Sequence, residues 1–139
     1  MKIIKILFTF LILLSGCFTD RAFSRSEIED VGGMKTGEIV IKSGQYFLPV
    51  ICNVSGTETI TNKPKTMNSG LAFKEINYKI TGDKILFSLY VTLVGDEYKF
   101  SRSNGINFKF GDIQKIKYQL YYKNPDNTIV FIKQLVFTH

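Results

Sequence analysis

From Gly37 onward the chain alternates apolar and polar residues with a period of two, the signature of strands buried on one face. "GEIVIKSG" reads as a short strand and "QYFLPVICNV" as a longer one. Pro49 cannot donate to a ladder, so that second strand is expected at a sheet edge or a bulge. "GTETITNKPKTMNSG" is polar and centred on Pro64, a long loop. The clearest unit is "LAFKEINYKITGDKILFSLYVTLVGDEY". Ile76, Tyr78 and Ile80 alternate with Asn77, Lys79 and Thr81, Gly82-Asp83 makes a tight turn, and Ile85, Phe87, Leu89, Val91 and Leu93 continue one face: a β-hairpin. Its second arm also carries Leu86, Tyr90 and Val94 on the other face, as a central strand does. "GINFKF" puts Ile106, Phe108 and Phe110 on one side, and "KIKYQLYYK" sets Ile116, Tyr118, Leu120 and Tyr122 against Lys115, Lys117, Gln119 and Lys123. Asn124-Pro125-Asp126-Asn127 is a turn with proline at its second position, and "TIVFIKQLVF" returns as the last strand. Residues 37–139 are thus expected to form one all-β domain, an antiparallel β-sandwich or small open barrel of seven or eight strands.

The first 36 residues follow a different rule. Lys2 and Lys5 precede the apolar run Ile6–Leu14, which is too short for a membrane span of about 20 residues and reads as a secretory signal over residues 1–16. Leu14-Ser15-Gly16-Cys17 resembles the lipobox of bacterial lipoprotein precursors at all four positions. The resemblance implies a diacylglyceryl group on the Cys17 thiol and cleavage before Cys17. Phe18, which is not the aspartate of inner-membrane retention, implies the outer membrane. The competing reading is ordinary signal cleavage with Cys17 lost. Residues 17–36 are polar and broken by Gly32-Gly33, so a flexible lipid-anchored tether is expected, with at most one helical turn in "RSEIED" capped by Ser26 with Glu29. With Cys17 acylated, Cys52 has no partner in the chain; in "FLPVICNV" it reads as a small buried hydrophobe, with a reactive or intermolecular thiol as the alternative.

Candidate chemistry is sparse. The one histidine is the terminal His139, which removes most Ser-His and Cys-His nucleophile schemes and histidine metal sites. Asp96 and Glu97 are adjacent and would face opposite ways in a strand. The expectation is a non-enzyme with no metal and no cofactor. Charge then matters. The net formal charge is +6, yet residues 98–139 hold seven basic and two acidic side chains while residues 17–97 are nearly balanced. Lys109, Lys115, Lys117, Tyr121, Lys123 and Lys133 are the candidate binding face, suited to an acidic protein or to headgroups, and export argues against nucleic acid. The bland reading is a solvated strand surface. "EIVI" and "TIVFIKQLVF" are candidate open edges for a partner's strand.

Residues 43–93, from "SGQYFLPV" to "MNSGLAFKEINYKITGDKILFSLYV", resemble part of the outer-membrane secretins, from a glycine-containing hairpin to a second hairpin. The glycine pair and prolines of the later secretin signature do not occur in residues 95–139. The resemblance therefore implies association with pilus or secretion machinery rather than a pore. The function expected is that of an exported lipoprotein of the cell envelope, a non-catalytic binding or accessory component. The alternatives are a stand-alone inhibitor, immunity or exclusion-type lipoprotein, and a ligand-binding surface lipoprotein.

Overall fold

In the computed structural model, residues 20–94 and 103–138 are described. Cys17, Asp96, Glu97 and His139 lie outside them. In chain order the elements are β1 (Arg21–Ala22), α1 (Arg25–Asp30), β2 (Met34–Thr36), β3 (Val40–Lys42), β4 (Gln45–Cys52), β5 (Leu71–Thr81), β6 (Lys84–Leu93), β7 (Ser103–Asn107), β8 (Lys117–Lys123) and β9 (Ile129–Val136). They form two facing sheets, all-β and sandwich-like, and neither sheet closes on itself among the described residues.

The expected hairpin is β5–β6, closed by Gly82-Asp83 with only Gly82 at positive φ. β6 is central, as its two apolar faces require. β5 runs along one edge, while β8 takes Lys84–Phe87 and β1 takes Tyr90–Val91 of the other. β8 lies parallel to β6 and antiparallel to β9, so β9 ends the sheet. In the second sheet β4 is flanked by β7 on one edge and by β3 and β2 on the other. Leu48, Val50 and Cys52 of β4 and Ile106 of β7 pack against Ile85, Phe87, Leu89 and Val91 of β6 and Tyr118, Leu120 and Tyr122 of β8 in one buried cluster.

Pro49 is therefore not at an edge, contrary to expectation. β4 is paired on both sides, and proline is tolerated because its missing N–H faces the gap between β2 and β3. There only the Pro49 carbonyl is used, accepting from the Gly37 N–H at 2.9 Å. On the other edge Pro49 lies opposite Gly105, where any Cβ would meet the Phe47 ring at 2.1 Å.

Two positions leave their expected faces. Phe110 is 94% exposed and Ile116 is 63% exposed. β7 stops at Asn107 and β8 starts at Lys117, so both residues belong to the intervening turn rather than to a strand.

The tether expectation fails for residues 21–36. Phe23, Ile28, Val31 and Met34 are buried in the main core. The helical turn is real, but its cap is Ser24 with Glu27, not Ser26 with Glu29. The Glu27 N–H donates to Ser24 Oγ at 3.2 Å, and the Ser24 N–H donates to Glu27 Oε2 at 2.8 Å. Both serines stand three residues before a glutamate. The Ser24 frame wins because it puts Phe23 before the cap and Ile28 at the fourth helical position, an apolar pair that clamps the entry of the helix; the Ser26 frame would put Arg25 and Asp30 there. The helix ends in a glycine-terminated cap, with the N–H of Gly33 on the Ile28 carbonyl at 2.8 Å and that of Gly32 on Glu29 at 3.3 Å. The long loop after β4 then closes over this end. The N–H groups of Ile60, Thr61 and Asn62 all donate to the Gly32 carbonyl, and those of Lys65 and Thr66 donate to the Asp30 carbonyl.

Three carboxylates have lowered pKa values: Asp20 and Glu27, which tie the N-terminal segment down, and Asp126 in the β8–β9 turn. Burial pushes Glu27 upward, but the Arg21 and Ser24 hydrogen bonds outweigh it and hold the group below its ordinary 4.5. Asp20 is lowered by Lys74 and then Thr92, and Asp126 by the Thr128 hydroxyl and N–H. A carboxylate that is more acidic folded than unfolded contributes stability above its unfolded pKa and loses it as pH falls through the folded one. The urea midpoint is therefore expected to be flat above about pH 5.5 and to fall below about pH 4.5. Glu27→Gln should start lower and lose less as the pH falls below about 4.5, and equal acid sensitivity of variant and parent would remove Glu27 from this account.

Candidate binding site

The six residues expected to share one face are distributed over three places. Lys117, Tyr121 and Lys123 lie on the outer face of β8, as alternation requires once Tyr118, Leu120 and Tyr122 point inward. Tyr121 stands in register between Leu86 of β6 and Phe131 of β9. Its ring meets Phe131 edge-on at 5.5 Å, and the Lys84 ammonium lies 5.4 Å from its centroid. This outer strip of apolar and basic side chains is open to solvent.

Lys133 is not part of it. A bulge between Leu120 and Tyr121 shifts the register so that Lys133 faces Leu120 on the inner side. From there it reaches the other sheet, donating to the Gly37 carbonyl at 3.1 Å and to Glu38 at 2.7 Å. It is a strut between the sheets rather than a free cation.

Lys109 and Lys115 fall at a third place, the segment between β7 and β8. Two tyrosines pin this segment. Tyr78 of β5 accepts the Lys109 N–H at 2.9 Å and donates to Asp112 at 3.1 Å. Tyr118 of β8 accepts the N–H groups of Gln114 and Lys115 at 3.0 and 3.2 Å. Burial is the main cause holding the Tyr78 pKa above its ordinary value. Between this segment and the outer edge of β5 lies a cleft of about 750 Å³, lined by Lys79, Lys109, Lys115, Asp112, Tyr118 and the Ile76–Ile80 stretch. Lys79 is the cation that alternation had assigned only to the polar side of a hairpin; nothing in the sequence joins it to two residues 30 and 36 positions away. On the far side of the segment, Ile41, Tyr46, Phe108, Phe110 and Ile113 line an apolar hollow of about 530 Å³.

Cys52 is buried, and that burial pushes its thiol up to about 12, which leaves almost no thiolate at neutral pH. Among the described residues no group of three or more His, Cys, Asp or Glu is placed to hold a metal, and no helix is long and apolar enough to cross a membrane.

The open edges expected at "EIVI" and "TIVFIKQLVF" correspond to β3 and β9, each an end strand of its sheet. β9 is the longer, and Ile129, Val130, Phe131 and Val136 are exposed along it.

No family model, no curated protein and no solved structure matches this chain.

Proposed function

We propose that this chain is an exported lipoprotein, moored at the outer membrane through Cys17, that works without catalysis as a binding or accessory component of a cell-envelope assembly such as a pilus or secretion system. The observation that carries the reading is the outer edge of β9, with which no strand pairs among the described residues. Edge strands are ordinarily guarded by charges, prolines or bulges that keep foreign strands away. β9 has no proline, its one charged residue, Lys133, is turned inward onto Glu38, and its one bulge, at the register shift opposite Leu120 and Tyr121, leaves Lys133–Val136 as an uninterrupted stretch of ladder. Its outer face carries Ile129, Phe131, Gln134 and Val136, uncharged and mostly apolar, beside backbone groups that no described strand pairs, which suits an added strand.

The anchor bears on the geometry. The first described strand starts at Arg21, and four residues reach about 14 Å at the very most, so an acylated Cys17 would hold the domain close to the bilayer, where a 20-residue tether would let it range far more widely. A second reading, a ligand-binding lipoprotein, is favoured by the cleft beside Tyr118.

Two measurements test the proposal. Radiolabelled palmitate should enter the parent chain and not Cys17→Ser; absence of label in both removes the anchor. A photo-crosslinking residue at Phe131, in cells, should give a discrete adduct with another envelope protein that the same residue at Ser43 does not give. No adduct at Phe131 would sink β9 as the docking edge, and an adduct of twice the chain's mass would reassign it to self-association.

A further inference from the structure

We infer that the cleft between β5 and the segment leading into β8 binds an extended acidic peptide, which adds as a strand to the outer edge of β5. This stands apart from the β9 reading and uses the opposite edge of the sheet.

The backbone supplies the first half of the site. In a hairpin closed by a two-residue turn, the flanking residues, here Thr81 and Lys84, exchange hydrogen bonds across the ladder. Counting back, Lys79 and Asn77 also face β6, so the N–H and C=O groups of Ile76, Tyr78 and Ile80 point outward. No strand pairs with that edge among the described residues, and none of those three N–H groups is used by a described turn or loop. These three residues line the cleft. A stretch of five residues spans about 17 Å, so the edge accommodates a peptide of about five residues.

Charge supplies the second half. Lys79 lies on the outer face of β5, while Lys109 and Lys115 lie across the cleft on the segment that walls it, with Asp112 the one acidic side chain of the lining. Asp112 already accepts from Tyr78. An added strand would thus meet ammonium groups on both sides. Tyr118 completes the arrangement. It is 3% exposed and lines the cleft; its hydroxyl oxygen accepts two backbone N–H groups, and its own hydrogen has no acceptor among the described residues. A buried phenol with an unused hydrogen is a donor waiting for an acceptor, and a carboxylate in the cleft provides one. Unpaired strand groups distinguish this site from one for a small free acid, because a small acid has no use for three outward-facing amides in a row.

The test uses the whole chain and the probe acetyl-(Glu-Val)3-amide. Calorimetry should give saturable one-to-one binding that weakens as NaCl rises from about 50 to 500 mM. Combined Lys79→Gln, Lys109→Gln and Lys115→Gln should weaken it about tenfold, since three exposed pairs are lost together. N-methylation of alternate peptide amides, in the frame that faces β5, should weaken it by a similar factor, and the N–H groups of Ile76, Tyr78 and Ile80 should exchange more slowly in the complex. Phe131→Lys on β9 should leave the affinity unchanged. The inference is overturned if the probe fails to bind at millimolar concentration, if the N-methylated peptide or free glutarate binds as tightly, or if Phe131→Lys abolishes binding and so moves the site to β9.

Discussion

Gly32→Ala should cost about 3 kcal/mol of folding stability, seen as a urea midpoint lower by about 2 M. Gly32 has φ of 121°, and a Cβ there would lie 2.3 Å from the Glu58 carbonyl oxygen. That neighbour is backbone, so no side-chain rotation relieves the clash. Either the loop retreats or the helix end does. Whichever moves, the three N–H groups of Ile60, Thr61 and Asn62 are pulled from the Gly32 carbonyl, and each such bond is worth about 1 kcal/mol net. Gly44→Ala is the internal control. Its φ is 76°, but nothing lies within 4 Å of its would-be Cβ, so only the left-handed backbone penalty of about 1 kcal/mol applies. If both alanines cost the same, the long loop does not close over the end of α1.

Phe23→Ala should cost about 3–5 kcal/mol, the range for deleting a buried aromatic side chain. Phe23 has no exposed surface, and its N–H donates to the Leu89 carbonyl at 2.7 Å. Its carbonyl accepts the Tyr122 hydroxyl, which in turn accepts the Leu89 N–H at 3.1 Å. Tyr122 thereby fills the break in the ladder along β6 between the parts paired with β8 and with β1. A residue in a solvated tether would change stability by less than about 0.5 kcal/mol on the same substitution. Chemical denaturation of the purified variant separates the two, and a near-neutral result would return residues 21–36 to the role of a leash.

What each stretch disclosed about itself depended on the range of the interaction that places it. Local rules were sufficient for the β5–β6 hairpin. A strict period of two and Gly82-Asp83 leave one register that buries Ile85, Phe87, Leu89 and Val91 together. The turn at Asn124–Asn127 was equally local, with Asp126 accepting from Thr128 and Asn127 at positive φ. The capping signal before α1 was visible too, but two serine–glutamate pairs offered two frames. The choice fell to Phe23 and Ile28, whose value lies only in the core they enter. Composition misled for the rest of that segment: a few apolar residues among charges look solvated until a sheet is present to receive them.

The alternation of residues 71–93 and 117–136, read with their turns, determined by itself that this protein is an all-β domain, a sandwich or a small open barrel; the sandwich-like pair of facing sheets came from the tertiary structure. Side-chain parity within a strand is a property of the chain, and burying one face of each strand is the dominant gain. Tertiary structure alone decided that β8 joins β6 in parallel, that Pro49 is central, that Lys133 turns inward and that Lys79, Lys109 and Lys115 share a cleft. Those outcomes depend on which strand edges meet and on a single-residue bulge. Both are settled by contacts between residues far apart in sequence, and no local pattern carries that information.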